Sequence, residues 1–254
     1  MEGPTVSNLV FTYWEGQEYP FTRVCVDSVR RIFGNRHVHL TPLNISQWIT
    51  LPKYVAVSDH ILFRSDFIRA ALMRRYGGWW FDSDVLLLKD PSKLVADGRP
   101  QIWNLIYKVD DAWIPLVNCG ILYSKAESEW IVNIMSDFDC LNDIPSSITR
   151  ENEDIGQDIF EKWSVGTGLC NIGHEHIFNS TVNVNADYRP FWNGVIGLDS
   201  VSYGLHIGAS LSRWAMSDGD LQAKQTLEMS ELRELLEKFP RSVISQYLCQ
   251  LREG

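Results

Sequence analysis

Apolar positions along the chain alternate between short β-prone runs and longer stretches with helical spacing. Leu9 to Tyr13 (LVFTY) is a strand-like run ending at Trp14-Glu15-Gly16, and Val24 to Phe33 repeats apolar residues at helical intervals until Gly34-Asn35. His37 to Leu40 reads as a second strand, closed by the turn-forming Thr41-Pro42. A helix is predicted from about Ser58 to Tyr76, ending at Gly77-Gly78, where a positive φ costs glycine nothing. Trp79 to Phe81 and Val85 to Leu88 follow as buried strands, with further strands expected at Ile102 to Ile106 and Gly120 to Tyr123. Strand and helix in alternation predict an α/β fold around an open, mainly parallel sheet. The second half is less regular: loops are expected at Asn142 to Asp154 and Gly166 to Gly173. An amphipathic run (Met229, Leu232, Leu235, Leu236, Phe239) is then stopped by Pro240. No repeat or linker interrupts the pattern, so residues 1–254 are read as one domain.

Within this pattern one stretch carries chemistry. In RAALMRRYGGWWFDSDVLLLK, Asp82 and Asp84 flank a single serine at the edge of an apolar run. Two carboxylates at i and i+2 of a regular strand face the same way, and at the strand's C-terminal end they can share a divalent cation through hard oxygen ligands. Such a cation, Mg²⁺ or Mn²⁺, keeps positions open for water and for the phosphates of a nucleotide. The competing reading is a turn in which the Asp and Ser side chains satisfy backbone groups. On the preceding helix Asp66 and Arg69 stand at i, i+3 and share a face. The glycine pair delivers that face to the sheet edge where open α/β folds bind ligands.

Composition narrows the partners. A net charge of −9 argues against nucleic acid, whose binding needs clustered Lys and Arg. Five cysteines, odd in number and without a CxxC spacing, signal neither a zinc site nor a disulfide framework, and a reducing cytoplasm is expected. No basic-then-apolar leader and no apolar run near ~18 residues is present, so no transmembrane segment is expected. The ten tryptophans can fill a core or stack on sugars and bases.

SDFIRAALMRRYGGWWFDSDV closely resembles the signature of the sugar-binding DXD glycosyltransferases. That group includes initiating α-mannosyltransferases, capsular polysaccharide transferases and the glucosylating domains of clostridial toxins. The matching positions are Ser65, Asp66, Arg69, Gly77, Gly78, Trp80, Asp82 and Asp84, with Trp80 in place of the usual tyrosine. Weaker echoes follow in the expected order. Trp14-Glu15-Gly16 resembles the base-stacking segment, Asn118-Cys119-Gly120 with Ser124-Lys125 the Asn-x-Gly segment, and Gly166-Thr167-Gly168 the Thr-Gly-Pro turn, with Leu169 where the proline would stand. Ser212 and Trp214 match the Ser-x-Trp of the family's closing loop.

The resemblance implies a GT-A fold, with residues from about 1 to 125 forming the nucleotide-sugar half and those from about 126 to 254 the acceptor half and C-terminal helices. Trp14, with Tyr13 beside it, would stack on the nucleobase. Asp82 would contact ribose and donor sugar, and Asp66 and Arg69 would hold sugar hydroxyls. Asp84 would bind Mn²⁺ or Mg²⁺ with Asp82 beside it, while Asn118, Ser212 and Trp214 would complete the donor site. Apart from the resemblance, His206 follows an apolar stretch and its neutral imidazole can fill one more position on the cation, the alternative being a hydrogen-bonded structural histidine. The implied reaction transfers a sugar, with retention, from a nucleotide sugar, UDP-sugar in preference to GDP-sugar, to a glycan or other hydroxyl acceptor. Two other classes are weighed against it. A haloacid-dehalogenase-like phosphohydrolase would use Asp82 as nucleophile, and a non-catalytic carbohydrate-binding protein would account for the tryptophans alone.

Overall fold

The computed structural model describes residues 9–95, 98–109, 112–141, 155–164, 170–172, 177–179, 203–206, 237–238, 240–241 and 245–249. The described residues include nine strands and five α-helices, with further helical residues at 237–238 and 245–249. They are β1 (Val10–Tyr13), α1 (Pro20–Phe33), β2 (His37–Leu40), α2 (Lys53–Ala56), α3 (Ile61–Tyr76), β3 (Gly78–Phe81) and β4 (Val85–Leu87). The remainder are β5 (Gln101–Val109), β6 (Ala112–Ser124), α4 (Glu129–Asp139), α5 (Ile155–Ser164), β7 (Cys170–Ile172), β8 (Ile177–Asn179) and β9 (Gly204–His206). The helix expected from about Ser58 to Tyr76 is α3, which begins at Ile61 and follows the short α2, and β5 and β6 are longer than the apolar pattern marks. β7 occupies part of the stretch expected as a loop at 166–173.

The central sheet has the order β2-β1-β3-β6-β5-β7. Three of its pairings are parallel (β1/β2, β1/β3, β5/β7) and two antiparallel (β3/β6, β5/β6). The α/β class and mostly parallel sheet expected from the sequence are both present. β4 departs from the reading: it leaves the central sheet and joins β9 and β8 in a second, three-stranded sheet.

Side-chain alternation along the strands divides the core in two. Phe11, Trp80, Ile102 and Leu122 face α3, α4 and α5, whereas Val10, Trp79, Phe81, Ile121 and Tyr123 pack with Val29 and Phe33 of α1. Trp79, Trp80 and Trp130 are therefore core residues. Helix α3 is the central post of the first layer, buried on most of its circumference from Phe63 to Met73. Its polar pair, Asp66 and Arg69, is enclosed with it.

The junction from α3 into β3 needs both glycines. Gly77, at φ 64°, caps the helix by donating to Met73 O at 2.9 Å. Gly78, at φ 100°, lies so close to Leu9 O that a Cβ there would collide with the backbone just before β1. That close approach starts the β1/β3 pairing and aims the end of β3 at the end of β1.

Candidate active site

Asp82 and Asp84 do not lie on a regular strand. Val85 N donates to Asp82 O at 3.0 Å, closing a turn between β3 and β4, the two strands that belong to different sheets. The turn arises because β3 stays paired with β6 only as far as Phe81 opposite Ile121, after which the chain changes sheets. Asp82 N is anchored on Gly120 O at 2.7 Å. Ser83, between the two aspartates, is buried and donates from Oγ to Tyr13 O at 2.7 Å, so it ties the turn to the end of β1.

Arg69 meets this turn from α3. Its Nη1 donates to Asp66 Oδ1 and its Nη2 to Asp82 Oδ1, each at 2.7 Å. The guanidinium also stands 5.1 Å from the Trp80 ring centroid, and Trp80 Nε1 donates to the same Asp82 oxygen at 2.7 Å. Arg69 is 3% exposed and Asp66 7%, so this is a buried charge cluster rather than a surface pair. Burial opposes the charge on Arg69, but the neighbouring Asp82 and Asp66 carboxylates outweigh it and hold the pKa above its usual range.

Two residues without an assigned role complete the cluster. Cys119 Sγ contacts Arg69 Nη1 and lies 3.5 Å from Asp66 Oδ1. Burial drives its thiol pKa well above the ordinary value, although Arg69 pulls the other way, so the thiol stays protonated. Gln157 of α5 reaches Cys119 Sγ at 3.0 Å. Asn118 sits alongside: its Oδ1 accepts from Gly120 N at 2.7 Å. A Cβ on Gly120 would come within 2.6 Å of Asp82 Oδ2 and 2.7 Å of Asn118 Oδ1, so only glycine leaves both in place.

A cleft of about 210 Å³ opens at the C-terminal ends of β1 and β3. It is lined by Tyr13, Trp14 and Glu15 on one side, by Ile61, Leu62, Ser65, Asp66 and Arg69 of α3 on another, and by Asp82, Ser83 and Asp84 at its floor. Trp14 is half-buried, and its indole Nε1 donates to Gln17 O at 2.8 Å. Tyr13 OH donates to Glu15 Oε2 at 2.7 Å, and Arg64 Nε pairs with that oxygen at 3.0 Å. Burial first, and then Glu15, raise the Tyr13 pKa. The residues flanking the Trp14 indole are therefore fixed to α3.

Of the residues singled out from the sequence, the cleft collects Tyr13, Trp14, Asp66, Arg69, Asp82 and Asp84, with Asn118 just behind. β9 runs antiparallel to β4 and its backbone places His206 opposite Val85, the residue after Asp84. Ser212, Trp214 and the Gly166-Thr167-Gly168 segment lie outside the described residues, as does the amphipathic run up to Leu236. Sequence reasoning missed Arg64 and Gln157, whereas Glu15 stood inside the marked Trp14-Glu15-Gly16 segment. Cys119 and Ser83 sat inside motifs already marked, whereas no local pattern pointed to Gln157.

Residues 5–138, just over half of the chain, match the family model described as capsular polysaccharide synthesis protein. The chain belongs to that family. No curated protein matches in sequence. Among solved structures, PaToxG glycosyltransferase is similar at 12% identity and a TM-score of 0.41, over 62% of this chain and 68% of that one. A glycosyltransferase involved in glycosylation of the major capsid of PBCV-1 gives 11% and 0.41, over 78% of this chain and 93% of the other. Galactosyltransferase LgtC, solved with donor and acceptor sugar analogs, gives 13% and 0.38, over 68% and 76%. Among the described residues, no helix is long and apolar enough to cross a membrane.

Proposed function

We propose that this protein is a metal-dependent glycosyltransferase that moves a sugar from a nucleotide sugar, preferentially a UDP-sugar, to a glycan or other hydroxyl acceptor with retention of configuration. The observation that carries this reading is the cleft itself, in which an aromatic face (Trp14), a buried Asp-Arg-Asp cluster and a further carboxylate (Asp84) converge. The nucleobase would lie on Trp14, the diphosphate near Asp84 and the transferred sugar against Asp66 and Arg69. The donor half would extend to about residue 125, with the acceptor half beyond it.

The carboxylates suit a hard cation. Asp82 Oδ1 already accepts from Arg69 and Trp80; Asp84 would be the principal ligand, with Asp82 Oδ2 and His206 completing the protein's share. Mn²⁺ or Mg²⁺ bound there would neutralise charge on the departing diphosphate.

The chain's own work is then positional and electrostatic. Arg69 orients Asp66 and Asp82 in a dry setting, where hydrogen bonds to sugar hydroxyls are strengthened and hydrolysis is suppressed. A retaining reaction needs no dedicated protein base, because the leaving diphosphate takes the acceptor proton on the same face. By the family resemblance, the Ser212 hydroxyl and Trp214 indole would donate to that diphosphate as charge develops.

The rival readings fare less well. A phosphohydrolase would need Asp82 as a free nucleophile, yet one of its oxygens is held by two donors. A sugar-binding module would use exposed tryptophans, whereas Trp79, Trp80 and Trp130 are buried. Incubation with UDP- and GDP-sugars, with and without Mn²⁺, tests the proposal. Slow metal-dependent release of free sugar supports it; release of inorganic phosphate, or no turnover of any donor, overturns it.

A further inference from the structure

We infer that Gln157 is a positioning residue for the proposed donor site, its side-chain amide replacing a missing strand neighbour at an irregularity in β6 and so holding Cys119 against Asp66 and Arg69. The inference rests on the glycosyltransferase reading for its consequence, but not for its geometry.

Strand β6 loses its neighbours where the site is built. The β5/β6 register jumps from Ile102 opposite Leu122 to Trp103 opposite Asn118, and β3 pairs with β6 only from Ile121 onward. Residues 119 and 120 therefore belong to neither ladder. β-bulges of this kind re-aim side chains, and they leave backbone groups that need partners elsewhere. Asn118 supplies one by accepting from Gly120 N, and Asp82 N supplies another by donating to Gly120 O.

The remaining partner is Gln157. Its Oε1 accepts from Cys119 N at 3.4 Å, while its Nε2 donates to Val117 O. One primary amide thus presents an acceptor and a donor to N–H and C=O groups two residues apart, as a neighbouring strand would. The same Oε1 lies 3.0 Å from Cys119 Sγ. That sulfur touches Arg69 Nη1 and stands 3.5 Å from Asp66 Oδ1. Helix α5 is seated for this task, because Gly156 lies directly on the Asp66 carboxylate where a side chain would collide. A shift of Gln157 is passed through Cys119 to the two groups that would hold the sugar.

The test uses Gln157→Glu, close in shape and lacking only the donor amide, alongside Gln157→Met, which lacks both polar functions. The ionisable groups facing this position are the Cys119 thiol of β6 and, beyond it, Asp66 and Arg69 of α3 and Asp82; Asp158 on α5 is exposed. A carboxylate cannot donate to Val117 O, whereas a protonated carboxyl can. Donor hydrolysis by Gln157→Glu should fall about tenfold or more at pH 8 and recover as pH is lowered towards 6, while Gln157→Met loses activity without recovery.

A second readout needs no turnover. Alkylation of Cys119 by N-ethylmaleimide, followed by peptide mass, should be at least several-fold faster in Gln157→Met than in wild type. Equal alkylation rates, or identical pH profiles for the two variants, overturn the positioning role. Failure of the glycosyltransferase reading appears separately, as wild-type protein releasing no sugar from any donor.

Discussion

Arg69 and Asp82 are separated by 13 residues in sequence, yet their side chains meet at 2.7 Å in the buried wall of the cleft. The contact joins the middle of α3 to the turn after β3 and makes Arg69 the shared counter-ion of two carboxylates. Removing one partner of a buried pair leaves the others uncompensated, at a cost of ~3–5 kcal/mol. Arg69→Met should therefore lower stability by about that amount as well as abolish turnover. Urea unfolding checks it: an unchanged midpoint would show that the cluster is solvated in solution.

Asp84 lines the cleft floor with Asp82 and Ser83. Asp84→Ala should abolish Mn²⁺-dependent donor binding and transfer while leaving the thermal midpoint close to wild type. Titration calorimetry with nucleotide and metal decides this, and near-normal turnover would remove Asp84 from the metal site.

Trp14 is half-buried, with its indole held by Gln17 O. Stacking of a base on an aromatic ring contributes ~1–3 kcal/mol, so Trp14→Ala should weaken nucleotide binding by about 5- to 150-fold. Since little core is lost, folding should be retained. Unchanged nucleotide affinity would place the base elsewhere.

Gly120→Ala should act on Asp82 rather than on the fold, because the added methyl would meet the side-chain ends of Asp82 and Asn118 and not the backbone. A misplacement on the order of 1 Å can cost about 10²-fold in rate. A loss of kcat at that scale with a nearly unchanged melting temperature is the expected result.

His37, with His39, hydrogen-bonds Thr12 beneath α1. Burial, reinforced by Arg30 and His39, pushes its pKa down to about 3 from an ordinary 6.5. The folded state keeps His37 neutral where the unfolded chain takes up a proton. Stability is therefore fully present above pH 6.5 and declines as pH falls through the window towards 3. His37→Asn should flatten the fall in melting temperature between pH 6.5 and 4 relative to wild type. A slope identical to wild type would assign acid sensitivity to other groups.

The sequence by itself determined the elements whose causes are local. The apolar period distinguished strands from helices, Gly77-Gly78 marked the stop of α3, and i, i+3 spacing put Asp66 beside Arg69. It also determined the family resemblance, because the spacing of Ser65, Asp66, Arg69, Gly77, Gly78, Trp80, Asp82 and Asp84 is a one-dimensional property. Only the tertiary structure decided that Asp82-Ser83-Asp84 is a turn between two sheets, since which strand pairs with which depends on partners distant in the chain. It likewise decided that Arg69 is buried, because its cover comes from Cys119, 50 residues away, and from the flank of α5. Gln157 lies 38 residues from Cys119, and its role depends on a register jump that no run of apolar residues encodes. Short-range periodicity records what each segment presents; the closure of a site from residues brought together by different strands and helices is a property of the packed core alone.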